Sequence, residues 1–78
     1  MKKVYIKWID SCSLSKSGWN PEEDIKQLYP ETVHSIGYIF KETKKYITLV
    51  AHLGEYHSMG EICIPKSAIR KRKKINVK

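Results

Sequence analysis

The chain has 78 residues, a formal charge of +7, and a 41% hydrophobic content that includes two Trp, five Tyr and one Phe. This is too apolar for a disordered polypeptide and too short for a second domain, and no run of eighteen apolar residues is present to form a membrane helix. The charge is not spread evenly: Lys66, Arg70, Lys71, Arg72, Lys73, Lys74 and Lys78 lie in the last thirteen residues with no acidic neighbour, and the rest of the chain sums to zero.

The opening "MKKVYIKWIDS" has no apolar stretch of signal-peptide length, because Lys7 and Asp10 interrupt it. A soluble protein of the cytoplasm is expected. In that compartment the two cysteines, Cys12 and Cys63, are expected to stay reduced, although spacing alone leaves open whether they pair. With His34, His52 and His57 they form neither a CxxC nor an HxxxH pattern, so no metal or other cofactor is expected.

Lys3 to Ile9, "KVYIKWI", has strand composition. Val4, Ile6 and Trp8 share one face, and Tyr5 and Ile9 flank Lys7 on the other. The Ser- and Gly-rich stretch from Asp10 to Asn20 reads as a loop. In "NPEEDIKQLYP", Asn20 is placed to cap a helix, Pro21 suits its first position, and Glu22, Glu23 and Asp24 complement the positive end of its dipole. Ile25, Leu28 and Tyr29 make an apolar stripe, and Pro30 ends a predicted helix of two to three turns.

The second half reads as a β-meander. "TVHSIGYIFKE" places Ile36, Tyr38 and Phe40 on one face, with a bend or bulge expected at Gly37. A polar turn around Thr43 leads into "YITLVAHL", where Ile47, Leu49, Ala51 and Leu53 alternate. Gly54 to Gly60 is a loop, "EICIP" a short strand, and "KSA" a tight turn before a last strand in which Ile69, Ile75 and Val77 share a face. The predicted core is Trp8, Ile36, Tyr38, Phe40, Leu49 and Ile62.

This order predicts a single, mainly β domain over residues 1–78. The expected form is a small five-stranded SH3-like or Sm-like barrel, with one short helix in the first long loop and a basic C-terminal strand over 66–78. An open α+β sheet with the helix on one face is the alternative.

The segments "VYIKWIDS", "SGW", "SIGYIFKETKKYITLVAHL" and "GEICIPKSAI", taken in order, resemble a group of short phage- and prophage-encoded proteins with no established activity. The resemblance runs from Val4 to Ile69 and implies a viral setting in a bacterial host and a small β-domain. It implies nothing about chemistry.

An enzyme is not expected. Asp10, Ser11, Cys12 and Ser13 gather a carboxylate, hydroxyls and a thiol, but no nucleophile elbow, phosphate loop or paired-acid motif accompanies them. Such residues after a strand are turn formers. The basic segment suggests a polyanion partner, nucleic acid or an anionic nucleotide, held by Arg70, Lys71, Arg72, Lys73 and Lys74. Arg70, Arg72 and Lys74 would share one face and Lys71 and Lys73 the other, so the strand should lie at an edge, where lysines also guard against aggregation. Tyr5, Trp8, Trp19, Tyr38, Tyr46 and Tyr56 are candidate stacking platforms. The second partner class is a host protein, docked through exposed Trp19, Tyr29 and Tyr56. Against that, Trp19 could instead staple the helix onto the sheet.

Overall fold

A computed structural model of the protein describes residues 1–14 and 18–76. Val77 and Lys78 lie outside the described residues, as do Ser15 to Ser17 of the first loop.

The architecture is built around β1 (Lys3–Asp10). It pairs antiparallel with β2 (Glu31–Glu42) on one side and with β7 (Ile69–Ile75) on the other. Its alternation is the one expected: Val4, Ile6 and Trp8 are buried, and the residues between them are half-exposed. The Trp8 indole N–H donates to Ser35 Oγ at 3.0 Å, so the one polar atom of that buried ring is satisfied.

β2 changes partner along its length. Glu31 to Tyr38 pair with β1, whereas Tyr38 to Glu42 pair with β3 (Tyr46–Val50). Gly37 stands at the changeover. A Cβ there would lie 3.0 Å from the Val50 carbonyl oxygen and 3.2 Å from Leu49 Cβ, so the missing side chain lets β3 close in. The bulge falls a little later than expected: register shifts between Ile39 and Lys41, leaving Phe40 unpaired.

β3 pairs with β6 (Ile62–Pro65), and the same hairpin continues as a short separate ladder of β4 (His52–Leu53) with β5 (Ser58–Met59). The joint is Ala51, whose N–H is shared by the carbonyls of Met59 and Gly60, both at 3.2 Å. Gly60 has φ +74°, a left-handed conformation suited to glycine. The single strand expected over "YITLVAHL" therefore breaks at Ala51, and the expected loop from Gly54 to Gly60 contains a strand.

Pro65 ends β6, a 3-10 turn (Lys66–Ala68) follows as expected, and β7 returns along β1. The five-stranded sheet has the order β6-β3-β2-β1-β7. β7 is an edge, as its charge on both faces requires. Among the described residues no backbone pairing joins β6 to β7, so the five strands do not close into the expected barrel.

The core is Val4, Ile6, Trp8, Ile47, Leu49 and Ile64, with Val33, Ile39 and Ile69 packed against it. Each wholly buried isoleucine contributes about 1.5–3 kcal/mol. Trp8 and Leu49 were expected there, but Ile36 and Phe40 are 61% and 56% exposed, Ile62 is 38% exposed, and Tyr38 is half-buried. The reason is cross-strand parity. Val4, Ile6 and Trp8 stand opposite Gly37, Ser35 and Val33, so the odd-numbered residues of β2 face inward and its isoleucine and aromatic row faces out.

α1 (Glu22–Lys26) is five residues long, shorter than expected. Pro21 takes the cap position in place of Asn20, no side chain caps the helix, and none of its residues is buried. Trp19 is fully exposed, so it does not staple the helix to the sheet. The radius of gyration of 15.8 Å and the extents of 50 × 25 × 23 Å describe an elongated molecule. A compact chain of this length would have a radius of about 12 Å. Among the described residues no helix is long and apolar enough to cross a membrane.

Candidate nucleic-acid interface

Directly opposed residues in an antiparallel ladder point to the same side of the sheet. The register therefore assembles the outer face of β7-β1-β2 as three rows. Lys3 lies between Tyr38 and Ile75, Tyr5 between Ile36 and Lys73, and Lys7 between His34 and Lys71. No acidic residue stands in these rows.

Lys7 and Lys71 are like charges in direct cross-strand opposition, an arrangement that costs stability when nothing neutralises it. Lys3, Lys7, Lys71 and Lys73 form no ion pair among the described residues. The aromatics among them are ordered. Tyr5 and His34 stack with ring centroids 5.9 Å apart and planes 14° from parallel, and the Tyr5 hydroxyl shares a 2.7 Å hydrogen bond with His34 Nδ1. Lys3 Nζ sits 5.7 Å from the centre of the Tyr38 ring, a cation–π contact.

The basic segment expected from the sequence is divided by this geometry. Lys71 and Lys73 join the outer face. Arg72 and Lys74 stand opposite Ile6 and Val4 and so belong to the inner side of the edge. Arg70 falls at the bulge where the register with β1 shifts, and its guanidinium donates to the Ser67 carbonyl at 2.9 Å. Arg72 is committed to Glu42 at the end of β2. Its Nη1 and Nη2 donate to the two carboxylate oxygens at 2.7 and 3.0 Å, and Lys66 Nζ lies 2.7 Å from Oε2. The Arg72 guanidinium first, then the Lys66 ammonium, lowers the Glu42 carboxyl to about 2, and Glu42 in turn raises Arg72. This triad ties β7 to the far end of β2 on the unpaired side of the sheet. Arg72 acts there as a structural clasp, with its charge already answered.

Lys3, Lys7 and His34 did not emerge from the charge clustering, because they lie outside the C-terminal run. The signal for the two lysines was the alternation of β1, which puts Lys3 and Lys7 on the face opposite Val4, Ile6 and Trp8. His34 joins only through pairing with β2.

The outer face continues onto β3 through the Tyr38–Val50 pair. Beyond it an open cleft of about 440 Å³ runs beneath the β4–β5 arm, lined by Phe40, Thr48, Val50, Tyr56, His57, Ser58 and Glu61. Tyr56, at the tip of the arm, is 86% exposed. Trp19 and Tyr29 lie on a second arm, the segment that carries α1. Tyr29 borders a shallow depression with Cys12, Gln27, Leu28 and Glu31, so the structure does not bring the three interface aromatics into one site. Asp10 behaves as a turn former, its carboxylate accepting the Ser11 N–H at 2.8 Å. Cys12 and Cys63 are exposed free thiols, and no group of three metal-ligating side chains occurs among the described residues.

The chain matches no family model, no curated protein and no solved structure with which it was compared.

Proposed function

We propose that this chain is a non-enzymatic binding module for nucleic acid, working in a phage or prophage setting and built on an SH3-like strand arrangement. The observation that carries the reading is the outer face of β7-β1-β2, where Lys3, Lys7, Lys71 and Lys73 surround Tyr5, His34 and Tyr38 with no acidic partner. A phosphate backbone laid across the rows relieves the Lys7–Lys71 repulsion and releases its own counterions. The face spans three strands, which favours a polynucleotide over a single anionic nucleotide. The strand order and the one-turn connector before β7 support the SH3-like reading of the fold.

Docking on a host protein is the second reading. It is favoured by one observation: Trp19, Ile25, Leu28 and Tyr29 are all exposed around a helix that buries nothing.

Fluorescence anisotropy with labelled oligonucleotides at about 50 mM and 200 mM salt separates the two. Four lysine–phosphate contacts predict an affinity loss of about fifty-fold over that range for a single strand. The variant with Lys3, Lys7, Lys71 and Lys73 changed to Gln should lose that binding. Absence of binding at both salt concentrations would contradict the nucleic-acid reading and leave the Trp19 arm as the surface to pursue.

A further inference from the structure

The cleft beneath the β4–β5 arm includes no lysine or arginine among its lining residues to meet a phosphate. Its apolar walls are Phe40, Val50 and Tyr56, and its charged group is the Glu61 carboxylate, which repels an anion. It nevertheless opens beside the basic rows, because Tyr38, held under Lys3, is paired directly with Val50 in the cleft wall.

We infer that this cleft receives an unpaired base of a strand whose phosphates lie on the lysine face, and that the ligand is therefore single-stranded nucleic acid. The inference rests on the nucleic-acid reading above and narrows it. A base has flat apolar faces that stack on Phe40 and Tyr56, and a polar edge that Thr48, Ser58 and Glu61 can meet. In a duplex those faces are stacked on neighbouring bases and the edges are paired, so entry would require unstacking at a cost of a few kcal/mol. Phe40 is 56% exposed although it is the bulged residue of a central strand. The bulge removes it from the ladder, and it lines the cleft together with the exposed Tyr56.

The test compares one labelled sequence as a single strand and as a duplex, at about 50 mM salt, using the full chain and three variants. The wild type is expected to bind the single strand more tightly. Phe40→Ala and Tyr56→Ala, both at exposed positions, should each weaken single-strand binding by about 5- to 100-fold, with duplex binding unchanged. The double variant Lys71→Gln/Lys73→Gln should weaken both. Equal affinity for the two ligands, unmoved by Phe40→Ala and Tyr56→Ala, would overturn the base-binding cleft while leaving the lysine face as a general polyanion site. Wild-type protein that binds neither ligand would overturn both.

Discussion

Two sides of the same pair of strands behave as two different materials. On the inner side of β1 and β7, Ile6 is wholly buried and its neighbour Arg72 is clasped by Glu42. One residue away on the outer side, Tyr5 lies beside Lys73 and Lys7 beside Lys71, with no ion pair among the described residues. Composition treats residues 70 to 74 as one block of charge, whereas the two-residue period of a strand places Arg72 on the inner side with Glu42 and Lys71 and Lys73 on the outer face. Substitutions on the inner side should therefore register as stability, and those on the outer side as affinity.

The largest effect should come from Ile6→Ala. Removing a wholly buried branched side chain costs about 2–5 kcal/mol, comparable with the entire stability of a domain this small. A urea melt followed by tryptophan fluorescence should find the variant substantially unfolded in buffer. If the variant melted like wild type, the division between the two sides would collapse.

Next is Lys71→Gln/Lys73→Gln. The variant should keep its melting temperature, or gain slightly from relief of like-charge repulsion, with a stability change within about 0.5 kcal/mol. The slope of log affinity against log salt for single-stranded ligand should shrink by about 1.4. Arg72→Gln should do the reverse, lowering stability and leaving that slope nearly intact.

A smaller effect isolates the clasp. Because the folded Glu42 carboxyl sits at about 2, below its ordinary 4.5, its contribution is present above the ordinary value and is lost as pH falls from 4.5 toward 2. Its side chain is 31% exposed and those of Lys66 and Arg72 are 33% and 40% exposed, so solvent screening limits this to on the order of 1 kcal/mol. Glu42→Gln should lower stability by that amount at neutral pH and flatten this acid-side loss, as read by thermal melts across the pH range. The smallest change belongs to the arm: Trp19→Ala, at a fully exposed position, should shift stability by less than about 0.5 kcal/mol.

Much of the fold was legible because it rests on local signals. The alternation of β1, the tight turn at Lys66–Ala68 and the edge position of β7 all follow from short stretches read one at a time. Which face of β2 is buried did not follow. Periodicity separated Ile36, Tyr38 and Phe40 from Val33, Ser35, Gly37 and Ile39, and hydrophobicity favoured the first set. Pairing with β1 selects the second, because Gly37 and Ser35 leave room for Val4, Ile6 and Trp8 to fill the interior. Of the apolar side chains thereby displaced outward, Tyr38 lies under Lys3 and Phe40 lines the cleft. The site itself was half visible. Lys71 and Lys73 lay in the obvious basic run, but their partners Lys3 and Lys7 lie at the other end of the chain and meet them only through the β1–β7 ladder. Arg72 was misleading for a related reason, since its partner Glu42 is distant in sequence. The helix was overestimated because Ile25, Leu28 and Tyr29 match a helical stripe, yet no apolar surface comes to meet it.

Whether the outer face of β7-β1-β2 binds a strand is read residue by residue in an amide chemical-shift titration with a short single-stranded oligonucleotide. Shifts concentrated at Lys3 to Lys7, His34 to Tyr38 and Lys71 to Lys73, extending to Phe40 and Tyr56, are the predicted result. Shifts confined to Trp19 through Tyr29, or none at saturating ligand, would contradict it.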